Sequence, residues 1–574
     1  MKNPDFPVAG VFAGYYIKPG GGVLPGAEPL AAFASYSTKN LMPRQHELFC
    51  RTHRDRSRGL RGTGFSDPGK LIRHLDYLDI DRALVYYADA LHYSPARENP
   101  KLLELISPYA DRLKPAFVLA PSNFFEHGVL DWLKDQAARG NRSYVVRPTQ
   151  SCFPLRDIER LLSELHRFRP VFFLEHRGKN LQPADFPDLV MLAERYPQAF
   201  FVICREMWGT QVDTIHAMWR CPNIGVDTSF MHMRNGFEFF TREFGPGRVF
   251  FGIGDASHYG AASGALAHAE LTGCEREMIA HGNLEKLLGV PPLARKLADF
   301  HERPDKPLWN AFRKGAPLTG VRVIDAHTHF SDPNPRGWIL PEVDPEENIR
   351  EMVRTMDRYG VAASAMAANR ALFSDMLEGN LEAEKLAKPY PGRFMGYFTY
   401  NPWRGSEVDE AILDKLFARD YFIGFKLIPS RLHTPLDDPR HEIVFRYADK
   451  HRMPILIHTW SPEIEPLAEI ALRYPGAKFI AGHSGCGNVG RDHIERDAKK
   501  ADNIYLDFTA SFCSSYHWED FMTKFDRSRY LFGSDAALHN ESFELAMLLS
   551  LPVPDAEIIP QLAGNFERIL ADRC

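Results

Sequence analysis

The two halves of this 574-residue chain repeat one another's sequence pattern in the same order. Four pairs of short segments correspond at a nearly constant offset: RYP at 195–197 with RYP at 473–475, NIGVD at 223–227 with NIYLD at 503–507, RVFFGIGD at 248–255 with RYLFGSD at 529–535, and GNLE at 282–285 with GNFE at 564–567. Chance similarity would not be expected to keep both the order and the spacing. The pattern predicts a tandem duplication of one domain.

Each half alternates short apolar runs with amphipathic segments. The apolar runs recur about every 25 to 30 residues, as strands do when a helix follows each of them. We therefore predict an α/β protein with two tandem (β/α)8 TIM-barrel domains. A doubly wound open sheet is the alternative, but no G-x-G-x-x-G turn follows a first strand. Residues 1–301 would form the first barrel, 302–320 a linker with three prolines, and 321–574 the second barrel.

The composition argues against several classes of protein. Hydrophobic residues make up 44% of the chain and charged residues 25%, as in ordinary globular proteins. The formal net charge is -5, so no overall positive field attracts nucleic acid or an anionic membrane. The eight cysteines include no C-x-x-C pair, no stretch is long and apolar enough for a membrane helix, and the start resembles no signal peptide. We expect a cytoplasmic protein that binds neither nucleic acid nor membranes.

A His-x-His pair follows the first apolar run of the second half. The run at 321–324 is predicted to be a buried strand, and alternate side chains of the residues that follow it point the same way. His327 and His329 therefore leave the strand end side by side. Neutral imidazole is a common ligand of transition metals, so the pair supplies half of a metal site. Alone, the pair is also compatible with surface or hydrogen-bonded histidines.

Four later apolar runs of the second half also end at or near a polar residue. FIGFKLI ends near Lys426, MPILIH at His458, KFIAGH at His483 and YLFGSD at Asp535. In a barrel the carboxyl ends of the strands meet at one rim, where active sites lie. Each residue has a structural interpretation by itself, but the complete set in one order favours a functional site.

The segment from Val321 to Cys574 resembles the amidohydrolase superfamily of metal-dependent (β/α)8 barrels, in particular the branch that includes small-molecule hydrolases and metal-dependent decarboxylases. The strand-end residues occur here in the family's order. The resemblance implies one set of ligands for a divalent metal: His327, His329, His458 and Asp535. It implies that His483 is either a ligand of a second metal or a general base.

The resemblance leaves the number of ions open, at one or two. Lys426 lies near the position where binuclear members carry a carbamylated lysine that bridges two metals. Without the carbamate, the lysine would be a cation near the substrate. Zinc suits a nitrogen-rich site with one carboxylate, although manganese and iron are compatible. A divalent ion lowers the pKa of a bound water and polarises a carbonyl, and Asp535 or His483 would carry the water's proton to the leaving group.

Candidates for substrate binding follow the same strand ends. Arg404 lies after NPW, Arg431 lies after the Lys426 strand, and Trp460 lies after His458. Each could contact a small-molecule substrate, and surface packing explains each at least as well. A basic residue in the pocket would favour a carboxylated substrate.

The first half departs from this set at nearly every position. The residues that correspond to the second-half site are Phe12 and Gly14 for the His pair, Arg147 for Lys426, Leu174 (or Glu175 or His176 after a slip) for His458, Arg205 for His483, and Gly254 or Asp255 for Asp535. A guanidinium has only donors and cannot ligate a cation. We predict a metal-free first barrel that serves as a structural partner. A pocket for an anionic group held by Arg147 and Arg205 is the alternative.

These observations predict a metal-dependent hydrolase of a small organic molecule, acting on an amide, lactone or related bond. A metal-dependent decarboxylase of a small carboxylated substrate is the alternative within the same site. A non-catalytic binding or scaffold protein is the second alternative, and the complete strand-end set of the second half argues against it. Association of two chains into a homo-oligomer is left open.

Overall fold

The computed structural model describes residues 67–148, 151–175, 183–205, 210–231, 233–253, 260–292, 302–330, 344–459, 462–485, 488–509, 515–537 and 539–574, together with two short strands at 13–15 and 33–34. The chain divides into two compact units. The first unit contains Met1–Glu302 and Arg313–Gly315, and the second contains Arg303–Phe312, Ala316–Asn334 and Leu340–Cys574.

The described strands of the first unit form two sheets. A four-stranded sheet has the order β1-β2-β3-β4, with β1 antiparallel to β2 and β3, and a six-stranded parallel sheet runs from β5 to β10 in chain order. The strands are β1 (Ala13–Tyr15), β2 (Phe33–Ala34), β3 (Ile80–Val85), β4 (Leu113–Pro115), β5 (Phe117–Val118), β6 (Ser143–Val146), β7 (Val171–Leu174), β8 (Phe200–Ile203), β9 (Ile224–Asp227) and β10 (Val249–Phe250). A closed barrel in this half therefore stays a prediction.

Helices alternate with the strands of the first unit. The α-helices are α1 (Pro68–Tyr77), α2 (Ala88–His92), α3 (Pro95–Ile106), α4 (Val129–Ala138), α5 (Glu159–Leu165), α6 (Phe186–Arg195), α7 (Gln211–Arg220), α8 (Gly236–Phe244), α9 (Ala261–His268), α10 (Gly273–Glu277) and α11 (Asn283–Leu288). Short 3-10 helices lie at Ser107–Tyr109, Pro121–Phe124, Leu155–Ile158, His166–Phe168, Pro183–Asp185 and Pro246–Arg248, and a π-helical turn lies at Met278–Gly282.

The second unit contains one sheet of eight parallel strands, ordered as they follow one another in the chain. The strands are β11 (Ile324–Phe330), β12 (Ala363–Ala368), β13 (Phe394–Thr399), β14 (Phe422–Leu427), β15 (Pro454–His458), β16 (Lys478–Gly482), β17 (Ile504–Asp507) and β18 (Tyr530–Leu531). Backbone N–H groups of Ala326 and Asp535 donate to the carbonyls of Phe532 and His327, and these bonds join the first strand to the segment after the last. The predicted α/β barrel of this half is thus present as an eight-stranded, nearly closed barrel.

The helices of the second unit lie between its strands in the chain. They are α12 (Pro307–Phe312), α13 (Pro345–Tyr359), α14 (Asn369–Phe373), α15 (Met376–Ala387), α16 (Glu410–Phe417), α17 (Pro429–Leu432), α18 (Glu442–Lys450), α19 (Leu467–Arg473), α20 (Asn488–Lys500), α21 (Ser515–Met522), α22 (Glu541–Leu549), α23 (Asp555–Ile559) and α24 (Asn565–Ala571). Short 3-10 helices lie at Pro402–Glu407, Pro439–His441, Pro462–Ile464 and Arg527–Arg529, and a π-helical turn lies at Pro560–Gly564.

Local sequence explains both ends of α13, the longest helix of this unit. The Asp344 side chain accepts hydrogen bonds from the backbone N–H groups of Glu346 and Glu347, and Pro345 occupies the first helical turn, where no N–H is needed. Gly360 ends the helix with φ at 81°. A Cβ at Gly360 would lie 2.3 Å from the carbonyl oxygen of Leu318, so only glycine fits this turn.

Apolar side chains fill the barrel below the strand ends. Leu456, Ile480 and Leu531 belong to one buried cluster that spans several strands. Side chains two residues apart on a strand share a face, so His458 follows Leu456 on the same side of its strand. This apolar cluster therefore lies directly below the polar residues at the carboxyl ends of the strands.

The segment predicted to be a linker contains α12. Trp309 and Phe312 are buried, and the Lys306 ammonium donates to the carbonyls of Leu551 and Val553. The domain boundaries inferred from the sequence stay predictions. None of the helices in the described part of the chain combines the length and apolar character that crossing a membrane requires.

Candidate metal centre

Three side chains converge at the carboxyl ends of the second-unit strands. His327 and His329 come from β11, and Asp535 follows β18. The Asp535 Oδ1 atom lies 3.1 Å from Nε2 of His329 and 3.6 Å from Nε2 of His327. One potential ligand atom from each residue lies within 4.8 Å of the other two. Two imidazole nitrogens and one carboxylate at this spacing fit a single divalent ion.

Hydrogen bonds fix both imidazole rings with the same nitrogen turned towards Asp535. Nδ1 of His327 lies 2.6 Å from Oδ2 of Asp507, and Nδ1 of His329 lies 2.9 Å from Oδ1 of Asn369. The Asp507 carboxylate is an acceptor, so His327 carries its hydrogen on Nδ1 and keeps the lone pair of Nε2 for a ligand. Metal-binding histidines are held in this way by carboxylate or carbonyl partners.

The protonation states of the charged groups suit a cation. Burial, with the charge of Lys426, holds the pKa of His327 well below its usual range, so the ring is neutral. Burial raises the pKa of Asp535, but the hydrogen bond to His329 and the neighbouring histidines outweigh it and lower that pKa well below its usual range. A metal requires neutral imidazole and ionised carboxylate, and these are the states of His327 and Asp535.

His483 and His458 lie beside the three-residue cluster. The His483 ring centroid is 4.9 Å from that of His327 and 4.8 Å from that of His458. Nδ1 of His483 lies 3.2 Å from the hydroxyl and 3.4 Å from the carbonyl oxygen of Thr509. Burial lowers the pKa of His483 to about 3 and that of His458 well below its usual range. Both rings are therefore neutral neighbours of the site, and their role as ligand or base stays a prediction.

Lys426 is fully buried at the end of β14. Its ammonium nitrogen lies 2.7 Å from Nε2 of His327. Burial lowers the pKa of Lys426 to about 8. The Nε2 lone pair serves one partner at a time, so Lys426 and an ion compete for the same atom of His327.

Two glycines and two left-handed residues shape the strand ends. A Cβ at Gly533 would lie 2.8 Å from Cβ of His327, and one at Gly482 would lie 3.0 Å from Cε1 of the same ring. The backbone of His483 (φ 67°) and of Asp535 (φ 61°) lies in the left-handed region. Such conformations cost energy in residues other than glycine and concentrate at functional sites.

The remaining substrate-binding candidates lie apart from this cluster or outside the described residues. Arg404 is partly exposed and pairs with Glu407 at 2.7 Å. Arg431 is exposed at the end of α17, and its charge contributes to the lowered pKa of His458. Trp460 lies outside the described residues. A substrate contact of these three residues stays a prediction.

Three residues that hold the site in place are absent from the predictions made from the sequence. Asp507, Asn369 and Thr509 follow or end strands β17 and β12, and Asp507 closes the apolar run NIYLD in the same way as the predicted ligands close theirs. The strand-end rule that selected His458 would therefore also have selected Asp507. His539 is buried too, with Nε2 at 3.3 Å from Oδ2 of Asp535.

The corresponding positions of the first unit are occupied differently. Arg147 and Glu175 are buried at successive strand ends and form an ion pair, with Nε and Oε2 3.0 Å apart. Arg205 is also buried. Phe12, His176, Gly254 and Asp255 lie outside the described residues, and nothing is described of the surroundings of Gly14 in β1. Whether this unit binds a metal stays a prediction.

A comparison with models of known protein families finds one match, in the second unit. A family model described as Amidohydrolase matches residues 324–572. No curated protein matches the chain.

Solved structures similar to part of the chain include a probable 2-pyrone-4,6-dicarboxylic acid hydrolase from Acinetobacter baumannii (13% identity, 44% of this chain and 100% of that chain, TM-score 0.37). A 5-carboxyvanillate decarboxylase from Sphingomonas paucimobilis is 14% identical over 44% of this chain and 99% of that chain, with a TM-score of 0.36. A 2,6-dihydroxybenzoate decarboxylase from Rhizobium is 14% identical over 44% of this chain and 99% of that chain, with a TM-score of 0.35. The match of the family model runs through the second unit from its first strand, β11, to its last helix, α24.

Proposed function

We propose that the second unit is a metal-dependent hydrolase of a small organic molecule with an amide, lactone or related bond. The observation that carries this proposal is the cluster of His327, His329 and Asp535, whose ligand atoms lie within 4.8 Å of one another. Asp507 and Asn369 orient the two rings in advance. We propose one ion, with zinc favoured by two imidazoles and one carboxylate, and His458 as a further ligand.

A divalent ion held there would lower the pKa of water and polarise the carbonyl of the substrate. The protein would supply the proton acceptor. We assign the ring hydrogen of His483 to Nδ1, which lies 3.4 Å from the carbonyl oxygen of Thr509. Nε2 of His483 would then accept the proton as the proposed general base. Asp535 is the alternative acceptor, through the oxygen that faces His539.

A decarboxylase is the second candidate, and the charges near His458 favour it. The positive charge of Arg431 contributes to the lowered pKa of His458, and buried Lys426 places a second cation beside His327. Two positively charged residues whose charges act on His458 and His327 suit a carboxylated substrate. An assay for carbon dioxide release from candidate acids, beside an assay for hydrolysis, separates the two reactions.

The first test is the metal content of the full chain purified without chelators. We expect about one equivalent of divalent metal per chain. A His327→Ala/His329→Ala variant should lose the metal and any turnover, while a His166→Ala variant, altered at a partly exposed histidine of the first unit, should keep both. No metal in the wild type, even after reconstitution with zinc, would favour a non-catalytic binding or scaffold protein.

The role of Lys426 can be tested with the Lys426→Met variant. If the uncarbamylated Lys426 side chain competes with the ion for Nε2 of His327, methionine removes the competitor. Zinc should then bind the variant at least as tightly as the wild type, with the same stoichiometry. Competition with a chromophoric chelator measures both quantities. Two equivalents in the wild type and a loss in the variant would instead show a carbamylated lysine that bridges two ions.

A further inference from the structure

We propose that Asp325 and Ser534 position the candidate metal ligands by holding the segment that carries Asp535 against strand β11. Neither residue belongs to the three-residue ligand cluster, so both would act through the backbone of the residues that do. The inference rests on the proposed metal-dependent function of the second unit, and it adds two positioning residues to that site.

The three candidate ligands come from two segments that are far apart in the sequence. His327 and His329 lie in the first strand of the barrel, and Asp535 follows the last strand. Backbone hydrogen bonds join these segments: the N–H of Asp535 donates to the carbonyl of His327 at 2.8 Å, and the N–H of Ala537 donates to that of His329 at 3.2 Å. The distances between the ligand atoms therefore depend on how the two segments are aligned.

The Asp325 carboxylate bonds to both segments. Its Oδ1 atom accepts hydrogen bonds from the backbone N–H of His327 and from that of Ser534, each at 3.1 Å. His327 is itself a candidate ligand, and Ser534 directly precedes another, Asp535. A single oxygen atom of β11 thus fixes the segment after the last strand relative to His327.

The Ser534 hydroxyl extends this contact across Asp535. It donates to Oδ2 of Asp325 and accepts the backbone N–H of Ala536 at 3.1 Å. Ser534 and Ala536 are the two neighbours of Asp535, whose backbone has a φ of 61°, in the left-handed region. Such a backbone persists in a residue other than glycine when the surrounding structure holds it there. The hydroxyl supplies part of that support, on both sides of the ligand.

Burial makes these bonds hard to replace. Asp325 and Ser534 have no exposed surface, so solvent does not compete for their hydrogen bonds. Removal of the hydroxyl would take one bond from the Asp325 carboxylate and one from the N–H of Ala536. The backbone around Asp535 should then shift. A metal site needs its ligands within about 0.5 Å of the productive geometry, so a small shift is enough to weaken binding.

The first test compares Ser534→Ala with the wild type as full chains, with zinc as the probe. Chelator competition should show zinc affinity about tenfold or more weaker in the variant, because a bond that supports a ligand has been lost. With cobalt(II) in place of zinc, the visible absorption spectrum should also change, since it reports the geometry of the ligands.

Ser364→Ala is the matched control. Ser364 is a buried serine of the same barrel, in β12, and its hydroxyl bonds to Sδ of Met356 at 3.5 Å. This variant should keep the wild-type zinc affinity and cobalt(II) spectrum, even if its free energy of unfolding falls. Loss of stability alone is thereby separated from loss of ligand geometry.

Asp325→Asn is the second variant. The amide keeps an acceptor oxygen for the two backbone N–H groups but presents an NH2 group, instead of an oxygen, to the Ser534 hydroxyl. Zinc should again bind about tenfold or more weakly.

The outcomes separate this inference from the proposed function. Wild-type zinc affinity or an unchanged cobalt(II) spectrum in Ser534→Ala, or an equal loss in Ser364→Ala, overturns the inference and leaves the proposed function standing. A wild type that binds no metal overturns the proposed function and this inference with it. If Asp325→Asn does not fold, the Ser534→Ala result decides alone.

Discussion

Asp507 holds one of the candidate metal ligands in place. Its carboxylate lies 2.6 Å from Nδ1 of His327 and also accepts the backbone N–H of Thr509 at 2.9 Å. Burial raises the pKa of Asp507 to about 6, so the carboxylate is still mostly ionised at neutral pH. An ionised partner makes the imidazole a stronger ligand.

We predict that Asp507→Asn weakens zinc binding by about 10- to 100-fold, since the amide keeps the shape but not the charge that supports His327. Chelator competition measures the affinity. Asp357→Asn, at a surface carboxylate paired with Arg393, is the matched control and should bind zinc as the wild type does. Equal zinc affinity in both variants would mean that Asp507 matters only for its hydrogen bond to the backbone N–H of Thr509.

A glycine after the last strand of the barrel leaves room for His327. Gly533, just after β18, lies against His327. A Cβ at Gly533 would lie 2.7 Å from Cγ2 of Thr509 and 2.8 Å from Cβ of His327. Contacts this short force either the strand or the ring to move.

Gly533→Ala should therefore weaken zinc binding about tenfold or more and destabilise the second unit by about 1–3 kcal/mol. Zinc titration and urea unfolding test the two effects. Gly564→Ala is the control, because open space surrounds the position of its Cβ. A Gly533→Ala protein with wild-type zinc affinity would show that His327 does not depend on this close approach.

Equivalent side-chain bonds in the two units support the proposed duplication. The Asn223 amide donates to the carbonyls of Ala193, Tyr196 and Ala199. The Asn503 amide donates in the same way to three carbonyls that lie at corresponding positions: Ala471, Tyr474 and Ala477. Each unit also has a π-helical turn before its Gly-Asn pair. Both units therefore have the same asparagine-to-backbone hydrogen bonds and the same π-helical turn at corresponding positions.

The sequence predicted the strands with strong apolar character and missed one with little. The run PILIH coincides with β15, whereas β12, with the sequence ASAMAA, consists mostly of alanine and lacks the β-branched residues that mark a strand. Asn369 follows that strand and was overlooked with it. The partnership of Asp507 with His327 depends on the near closure of the sheet, which leaves only β18 between β17 and β11, and spacing along the chain does not reveal it.

At the scale of the whole molecule, stability should depend on pH partly through Asp227. Burial raises its pKa to about 7 from the ordinary 3.8. The folded protein then binds this proton more tightly than the unfolded chain does. Its contribution to stability is fully present below the unfolded value of 3.8 and is lost progressively as the pH rises from there through about 7.

We predict that Asp227→Asn, which cannot ionise, gains stability relative to the wild type by about 1–3 kcal/mol between pH 5 and pH 8. Urea unfolding at the two pH values gives the difference. The exposed Asp131→Asn control should show no such change. A difference between Asp227→Asn and wild type that is independent of pH would place the pKa of Asp227 near its ordinary value.

Asp227 and Asp507 share a feature that bears on how such a chain could evolve. Each accepts a backbone N–H from the residue two positions on, Ser229 or Thr509, and so shapes the turn after its strand. Only Asp507 adds a bond to an imidazole, while Oδ2 of Asp227 has no hydrogen-bond partner among the described residues. If the halves are copies, this carboxylate would be retained for its bonds to Ser229 and to the backbone of Arg205. One copy could then exchange its histidines for arginines without losing the strand end, and the other would keep the original chemistry.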